Sequence, residues 1–527
     1  MLSVSSSVYR SHSKSCIGYG LFSNRSVSSG EEITSVKRPL SVSLDPPRLD
    51  DTCANCFVWT GGANGIGSRS YVDKTITVSS CGGCKRVKYC SRVCQKSSWT
   101  SPNPGHKHIC KVVAPLFGKE LPKAVLATME LLIRRQRKLI SDDDWTALCQ
   151  LESHIDDFKQ TGQYEGIDLM AMGAGQFSGT STVFNRDFVA SMYGRILTNC
   201  LTLITPTLDP LGIIIDPLLC QINHSCDPNA YLMLEGPTVS LRTLRPIEKD
   251  EEIYISYIDT TIPFTRRLSE LKSRWFFTCK CSKCENGPTL QEDGWAMLPS
   301  DLKAREKKMA DQVIEKDPDL VNDIANYVGD SEDDRRVAAL QGKVFAAYEE
   351  EQRETDTKIA IGKIEKAMRL CGQSGLWPAY RQPYAALRDD LIVNLLTAGN
   401  YATAWSHSAK RYRYILPKLY PERSHPVRVV QTWQMAMLAT YMASEQMAVM
   451  PEADMSLIAL MLVVEVREMC RASHGEDSAF AKSVRAKWSE MAEEMDRTLG
   501  KDAQRIIAEA LPRQRDFLKQ MGDWVQY

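Results

Sequence analysis

The chain has 527 residues, 43% of them hydrophobic, which is too many for one core, so two to four domains are expected. Sixty-five Lys plus Arg balance 65 Asp plus Glu, a net charge of zero that excludes both a polybasic nucleic-acid binder and an acid-rich disordered chain. No run approaches 18 consecutive apolar residues, so a membrane span is not expected, and the N-terminus lacks the apolar core of a secretory signal.

Residues 1–14 are expected to be disordered. The first 30 residues are Ser-rich and free of Asp and Glu, as in a transit peptide, but residues 18–30 read as fold. Gly18-Tyr19-Gly20-Leu21-Phe22 and the stretch 27–33 are Gly-punctuated apolar runs, a short strand pair within a β unit of 15–52. Residues 53–110 are Cys-rich. Helical periodicity follows, with Leu121, Val125, Leu126, Met129, Leu132 and Ile133 on one face, and 111–183 is expected to be a helical insert.

Strand signals return at 212–215, 230–234, 239–244 and 253–257, separated by Pro, Asn and Gly turns, in a second β unit of 184–264. A Cys-rich segment spans 265–287. From 288 to 527 nearly everything reads as amphipathic helix: segments near 300–317, 334–350, 356–371, 380–398, 401–418, 426–449, 453–471, 478–498 and 501–520. Breaks at Ala398-Gly399-Asn400, Leu416-Pro417 and Leu499-Gly500 leave helix pairs of tetratricopeptide length, though an irregular helical bundle fits them equally. The expected fold class is α+β multidomain.

The 17 cysteines are not scattered as in a secreted disulfide protein. Cys53-x2-Cys56, Cys81-x2-Cys84, Cys90-x3-Cys94 and His106-x3-Cys110 supply four ligand pairs, enough for two closed tetrahedral zinc sites in a reducing compartment. A turn between paired thiolates brings both sulfurs to about 2.3 Å from one ion, and zinc then supplies the folding energy that a segment of roughly 60 residues lacks. His108 is read as a neighbour, since the spacing to Cys110 favours His106. Lys85, Arg86, Lys88, Arg92 and Lys96 form a basic face, more often a solvated surface than a weak nucleic-acid contact. Cys279-x-Cys281-x2-Cys284 offers three more ligands, and Cys226, 53 residues upstream of Cys279, is the candidate fourth.

The string Tyr89-Cys90-Ser91-x2-Cys94-Gln95, with Trp99, His106-Lys107 and Cys110, resembles the MYND finger. That resemblance implies a cross-brace with Cys53, Cys56, Cys90 and Cys94 on one ion and Cys81, Cys84, His106 and Cys110 on the other. Twenty-four residues between Cys56 and Cys81 and six between Trp99 and His106 make its loops longer than the family norm.

Asn223-His224-Ser225-Cys226-Asp227-Pro228-Asn229 is a polar turn after the apolar 218–222. Taken alone it reads as an ordinary loop. Gly18-Tyr19-Gly20 lies near the start, Asn199 precedes Asn223 by 24 residues, Tyr257 follows it by 34, and Phe277 stands two residues before the Cys triplet. Together these resemble a SET domain, and with the finger, the Cys-rich tail and the helical half the chain resembles the SET-and-MYND protein lysine methyltransferases.

The resemblance implies small twisted sheets, pseudo-knotted where the segment of Asn223 and His224 meets the one ending at Tyr257. It also implies a post-SET zinc site and a tetratricopeptide-like C-terminal domain over the substrate cleft. By position, Gly18, Tyr19, Gly20, Asn199, Asn223, His224, Tyr257 and Phe277 would hold S-adenosylmethionine, Phe277 stacking on adenine. Ile17 stands where the family has Arg or Lys. Tyr257 would be catalytic, Tyr254 would line the lysine channel, and Cys226, Cys279, Cys281 and Cys284 would hold a third structural zinc.

The implied reaction is methyl transfer to the ε-amine of protein lysines, histone or non-histone. A lysine of pKa about 10.4 is protonated at pH 7, and freeing the neutral amine costs about 4.6 kcal/mol, which an apolar channel beside a sulfonium lowers. The alternative is a catalytically weak adaptor whose finger binds proline-rich partners. The expected protein is a monomer of cytoplasm and nucleus without membrane contact, its acidic stretch 330–334 available to basic tails.

Overall fold

A computed structural model describes residues 7–13, 16, 18–60, 76–289, 291–293, 332–374, 377–447, 449–525 and 527. Strands β1 (Val8–His12) and β2 (Tyr19–Ser23) form an antiparallel hairpin with Val8 opposite Ser23 and His12 opposite Tyr19. Residues 8–12 are therefore ordered, against the expected disorder of 1–14. Val8 is buried in the β core, Tyr9 stacks on Phe22 at 5.7 Å, and the Arg10 guanidinium lies 3.8 Å from the Tyr19 ring centroid.

The other strands follow in chain order: β3 (Glu32–Val36), β4 (Ser41–Leu44), β5 (Ser79–Ser80), β6 (Lys88–Tyr89), β7 (Leu201–Ile204), β8 (Pro210–Ile215), β9 (Asn223–His224), β10 (Ala230–Glu235), β11 (Thr238–Thr243) and β12 (Tyr254–Ile255). They make small sheets ordered β10-β11-β3, β4-β8-β7, β12-β9 and β5-β6. Strand β8 shows why 212–215 is apolar without alternation: Ile213 and Ile215 join the core of the finger and insert, while Ile214 joins the β core. It is buried on both faces.

The Cys-rich module contributes α1 (Arg92–Thr100) and α2 (His106–Val113), and the insert α3 (Lys123–Gln136), α4 (Asp142–Cys149), α5 (Ile155–Gln160), α6 (Tyr164–Ser178) and α7 (Arg186–Asn199). The β unit expected over 184–264 opens with helix α7, which carries the helical insert to Asn199. The Asn185 side chain caps it by accepting from the Phe188 N–H at 2.8 Å, and Val189, Met192, Tyr193 and Ile196 are buried along one face. Helices α8 (Phe264–Trp275) and α9 (Ser282–Glu285) frame the last Cys cluster.

The C-terminal half is helical at Glu332–Glu351, Thr357–Ser374, Tyr384–Thr397, Tyr401–Lys410, Pro426–Ser444, Met455–Ser473, Ala479–Leu499 and Ala503–Asp523. These helices share a core that includes Leu391, Trp405, Trp433, Ile458, Leu462, Phe480 and Met521. The segment expected near 300–317 and the acidic side chains of 330–334 lie outside the described residues.

The helical half docks on the β part at two seams. At one, the Arg266 guanidinium lies 3.7 Å from the Phe345 ring centroid and Gln382 Nε2 donates to Thr261 Oγ1 at 2.9 Å. At the other, the turn after helix Met455–Ser473 meets the β10-β11 hairpin: Tyr231 donates to the Ser473 carbonyl, and the Ala479 N–H donates to Glu235 at 2.7 Å.

His474, in that turn, is 2% exposed and its Nε2 donates to the Pro206 carbonyl at 2.8 Å. Burial lowers its pKa from 6.5 to about 4, with the nearby Arg242 acting in the same direction. Between pH 6.5 and 4 the unfolded chain takes up a proton that the folded chain refuses, so stability falls as pH falls, by about 3 kcal/mol across that window. Acid melts of wild type and His474→Gln are expected to show a shallower loss in the variant. Equal slopes would remove His474 as the cause.

Candidate active site and zinc centres

Three ligand clusters are assembled: Cys53, Cys56, Cys90 and Cys94; Cys81, Cys84, His106 and Cys110; and Cys226, Cys279, Cys281 and Cys284. In each, the ligand atoms lie within 4.8 Å of one another. The separations fit zinc, because a tetrahedron with Zn–S of 2.3 Å has edges of ~3.8 Å. Cys56 and Cys90 sulfurs are 3.6 Å apart, Cys81 and Cys110 3.8 Å, and Cys226 and Cys284 3.5 Å. His106 Nε2 lies 3.4 Å from the Cys81 sulfur, and burial lowers its pKa to about 4, which keeps the neutral imidazole a metal requires. His108 is outside the cluster.

The finger does not stand alone, since Cys53, Cys81, Cys84 and Cys110 pack into the same core as Leu131, Leu132 and Ile196 of the insert. Its basic face is thinner than the sequence implies. Arg86 is 9% exposed and donates to the Leu116 and Lys119 carbonyls, each at 2.9 Å, and Lys88 pairs with Asp50 at 2.9 Å.

The third cluster joins segments that the chain keeps apart. Strand β9 runs parallel to β12, with Asn223 opposite Tyr254 and His224 opposite Ile255, and the Ser225 N–H donates to the Ile255 carbonyl at 3.0 Å. Next to this pair, His224 accepts at Nδ1 from the Tyr257 N–H at 3.0 Å and its Nε2 lies 3.2 Å from the Cys226 sulfur. A continuous path therefore runs from the Cys226–Cys284 cluster through His224 to Tyr257. Burial lowers the His224 pKa to about 4, so the ring is neutral and its one N–H points at the sulfur.

Tyr257 is wedged between His224, at 5.3 Å between centroids, and Trp275, at 5.4 Å. Its hydroxyl donates to the Ile222 carbonyl at 2.6 Å, and burial raises its pKa, so the phenol stays protonated. Phe277 faces His224 at 6.1 Å. Its neighbour Phe276 has φ 59° and turns the other way, packing on His154 at 5.2 Å and Phe158 at 4.8 Å. A left-handed aromatic costs roughly 1–2 kcal/mol, and here it directs two adjacent rings to opposite sides.

Gly18 has φ 94° and open space where a Cβ would lie. Tyr19 is half-exposed. A Cβ on Gly20 would sit 2.0 Å from a Glu252 carboxylate oxygen and 2.9 Å from Asn223 Nδ2, so a side chain there would push both groups from their places. Asn223 Nδ2 donates to the Tyr19 carbonyl at 3.1 Å and to Glu252 at 2.7 Å. Asn199 stands apart: its Nδ2 donates to the Glu152 carbonyl at 2.8 Å within the insert, and only its own carbonyl, which accepts from the Cys220 thiol at 3.1 Å, reaches toward β9. Tyr254 donates its hydroxyl to Glu252 at 2.7 Å.

Sequence reasoning passed over Glu252, Asn229, Trp275 and Phe276. Asn229 is fully buried; its Nδ2 donates to the Glu252 carbonyl at 2.9 Å and its Oδ1 accepts from the Tyr254 N–H at 2.8 Å, which aligns β12. The available signal was a polar residue closing the Asn223–Asn229 turn directly before a strand.

A family model described as the SET domain matches residues 18–258. The SET domain and MYND-type zinc finger protein 6 of Schizosaccharomyces pombe is 30% identical over 257 residues, 49% of this chain and 48% of that protein. The histone-lysine N-methyltransferase ASHR1 of Arabidopsis thaliana is 27% identical over 492 residues, 90% of this chain and 93% of its own length. The histone-lysine N-methyltransferase SMYD3 of Mus musculus is 25% identical over 304 residues, 55% of this chain and 67% of the mouse protein. The chain thus spans about half the length of the fission-yeast protein and nearly all of the Arabidopsis one.

Proposed function

We propose that this chain, a member of the SET-and-MYND family, methylates lysine side chains of proteins with S-adenosylmethionine as donor. The observation that carries the proposal is the parallel β9-β12 pair, which sets Asn223, His224 and Tyr257 beside one another and against the Cys226 cluster. When bound, S-adenosylmethionine supplies a methyl group on a sulfonium, an electrophile that needs no protein nucleophile.

The chain's own residues orient and desolvate. Gly18 and Gly20 flank Tyr19 and leave the backbone edge next to Asn223 uncovered at both positions, and Asn223 Oδ1 is an acceptor for the donor's amino group. Phe277 offers a face for its adenine, while Asn199, bonded within the insert, contributes only through the backbone carbonyl that accepts from Cys220. Tyr257 keeps its proton on the Ile222 carbonyl and presents its oxygen lone pair to the polarised methyl C–H groups. The aromatic wall of Tyr257 and Trp275 excludes water and disfavours the ammonium form of an incoming lysine. The zinc sites are closed and do no chemistry; Cys226, Cys279, Cys281 and Cys284 would hold the β9 turn, and the eight finger ligands a protein-binding surface.

Proline-rich peptides on the finger, a monomeric state and residence in cytoplasm and nucleus complete the proposal. No described helix is long and apolar enough to cross a membrane. Of the finger's five basic residues, Arg86 and Lys88 are engaged within the protein and Lys85, Arg92 and Lys96 stay exposed, a smaller face for any nucleic-acid contact. Titration calorimetry of the purified chain is expected to show S-adenosylmethionine binding, and radiolabelled donor is expected to mark lysine in a mixture of histones and cell proteins. Absence of binding in protein carrying three zinc ions would overturn the proposal.

A further inference from the structure

Glu252 is a carboxylate 6% exposed; the hydrogen-bond partners found for it among the described residues are neutral donors that converge on it from separate segments. Ser13 Oγ and Tyr254 Oη each donate to one oxygen at 2.7 Å, and Asn223 Nδ2 donates to the other at 2.7 Å. Its backbone bridges Phe22 of β2, and the Gly20 Cα packs against the carboxylate. A buried charge held this way has a strongly preferred orientation, because losing any donor leaves it under-solvated.

We propose that Glu252 is a positioning residue for the donor's amino-acid group, acting through Asn223. A carboxylate oxygen and the Tyr19 carbonyl can only accept, so both hydrogens of Asn223 Nδ2 must face them, and the amide cannot be turned over. Oδ1 is then the one polar atom that Asn223 can offer a ligand, and it suits an ammonium group. Without Glu252 only the Tyr19 carbonyl holds the amide, at 3.1 Å, and in the turned-over setting, which loses that single bond, it presents N–H groups to an ammonium, donor against donor. The proposal rests on the methyl-transfer function above and adds to it a residue that touches neither donor nor substrate.

The test is a double-mutant cycle read by calorimetric titration with S-adenosylmethionine. Glu252→Ala is expected to raise the Kd about tenfold, the size expected when a buried polar contact is left mismatched. Glu252→Gln, which can still accept from Asn223, should restore binding to within about threefold of wild type. In an Asn223→Ala background Glu252→Ala should add less than about twofold to the Kd, and the single variant Glu252→Ala should lose kcat/KM for the donor by about tenfold while its kcat at saturating donor falls by less than about threefold. Additive costs in the cycle, or a wild-type Kd in Glu252→Ala, would overturn the proposal and leave the methyl-transfer function standing. A wild-type chain that binds no donor removes both. Should Glu252→Ala fail to melt cooperatively, Ser13→Ala with Tyr254→Phe keeps the carboxylate but releases it from the hydroxyls that aim it. A Kd increase of about threefold that disappears in the Asn223→Ala background is then expected, and its absence is equally decisive.

Discussion

Cys281→Ser is expected to lower the zinc content from three ions per chain to two and to weaken S-adenosylmethionine binding while the helical half stays folded. Cys281 shares a cluster with Cys226, Cys279 and Cys284, and that cluster connects the segment after α8 to the turn that carries Asn223 and His224. A structural zinc site contributes on the order of 10 kcal/mol to folding its segment, and the small Cys226, Leu271, Cys279 and Cys284 core has little else to replace it. With the ion gone, Cys226 no longer anchors the residue two positions away whose Nδ1 accepts from the Tyr257 N–H. Donor affinity should fall by at least about tenfold, as when an outer partner of a metal site is lost. Zinc analysis, calorimetry and a thermal melt together check this. Wild-type affinity in a two-zinc protein would show that the third site does not support the donor turn.

Tyr257→Phe is expected to reduce kcat for lysine methylation by about a hundredfold, roughly 2.7 kcal/mol, with donor affinity held within about threefold. The ring contacts with His224 and Trp275 survive the substitution, and the backbone N–H still donates to His224. What is lost is one oxygen, which donates to the Ile222 carbonyl and offers its lone pair to the methyl group. Burial raises the phenol's pKa, so it does not ionise near neutral pH and the rate should show no step from Tyr257 in that range. Single-turnover labelling with a reporter substrate separates the outcomes. Unchanged single-turnover rates in the Phe variant would place the methyl-stabilising oxygen elsewhere, and a large loss of donor binding would make Tyr257 a cofactor residue only.

Both expectations concern residues that a reading of the chain singles out, and the two kinds of misreading are instructive. The segment 186–199 lies inside what reads as the second β unit, 184–264, yet its buried positions include 189, 192, 193 and 196, a helical stripe. Period, not composition, held the answer. Residues 8–12 carry no apolar alternation that would announce a strand; they are one because β2 supplies an edge and Val8 a place in the core. Glu252 reads as a surface charge before a strand, and its burial depends on Asn223, 29 positions away, and on Ser13, 239 positions away.

By itself the sequence determined the ligand pairs and most of the helices, because both are short-range. A turn of two or three residues places two thiolates on one metal, and a 3.6-residue period repeats whatever it packs against. The sequence also marked Cys226 as a candidate partner of Cys279, Cys281 and Cys284, which the fold brings together; the tertiary structure alone decided that 223–224 pair in parallel with 254–255 and that Phe276 and Phe277 point opposite ways. These depend on pairings between segments tens to hundreds of residues apart. Such pairings leave no periodic mark, and only the closing of separate strands around shared buried polar groups selects them.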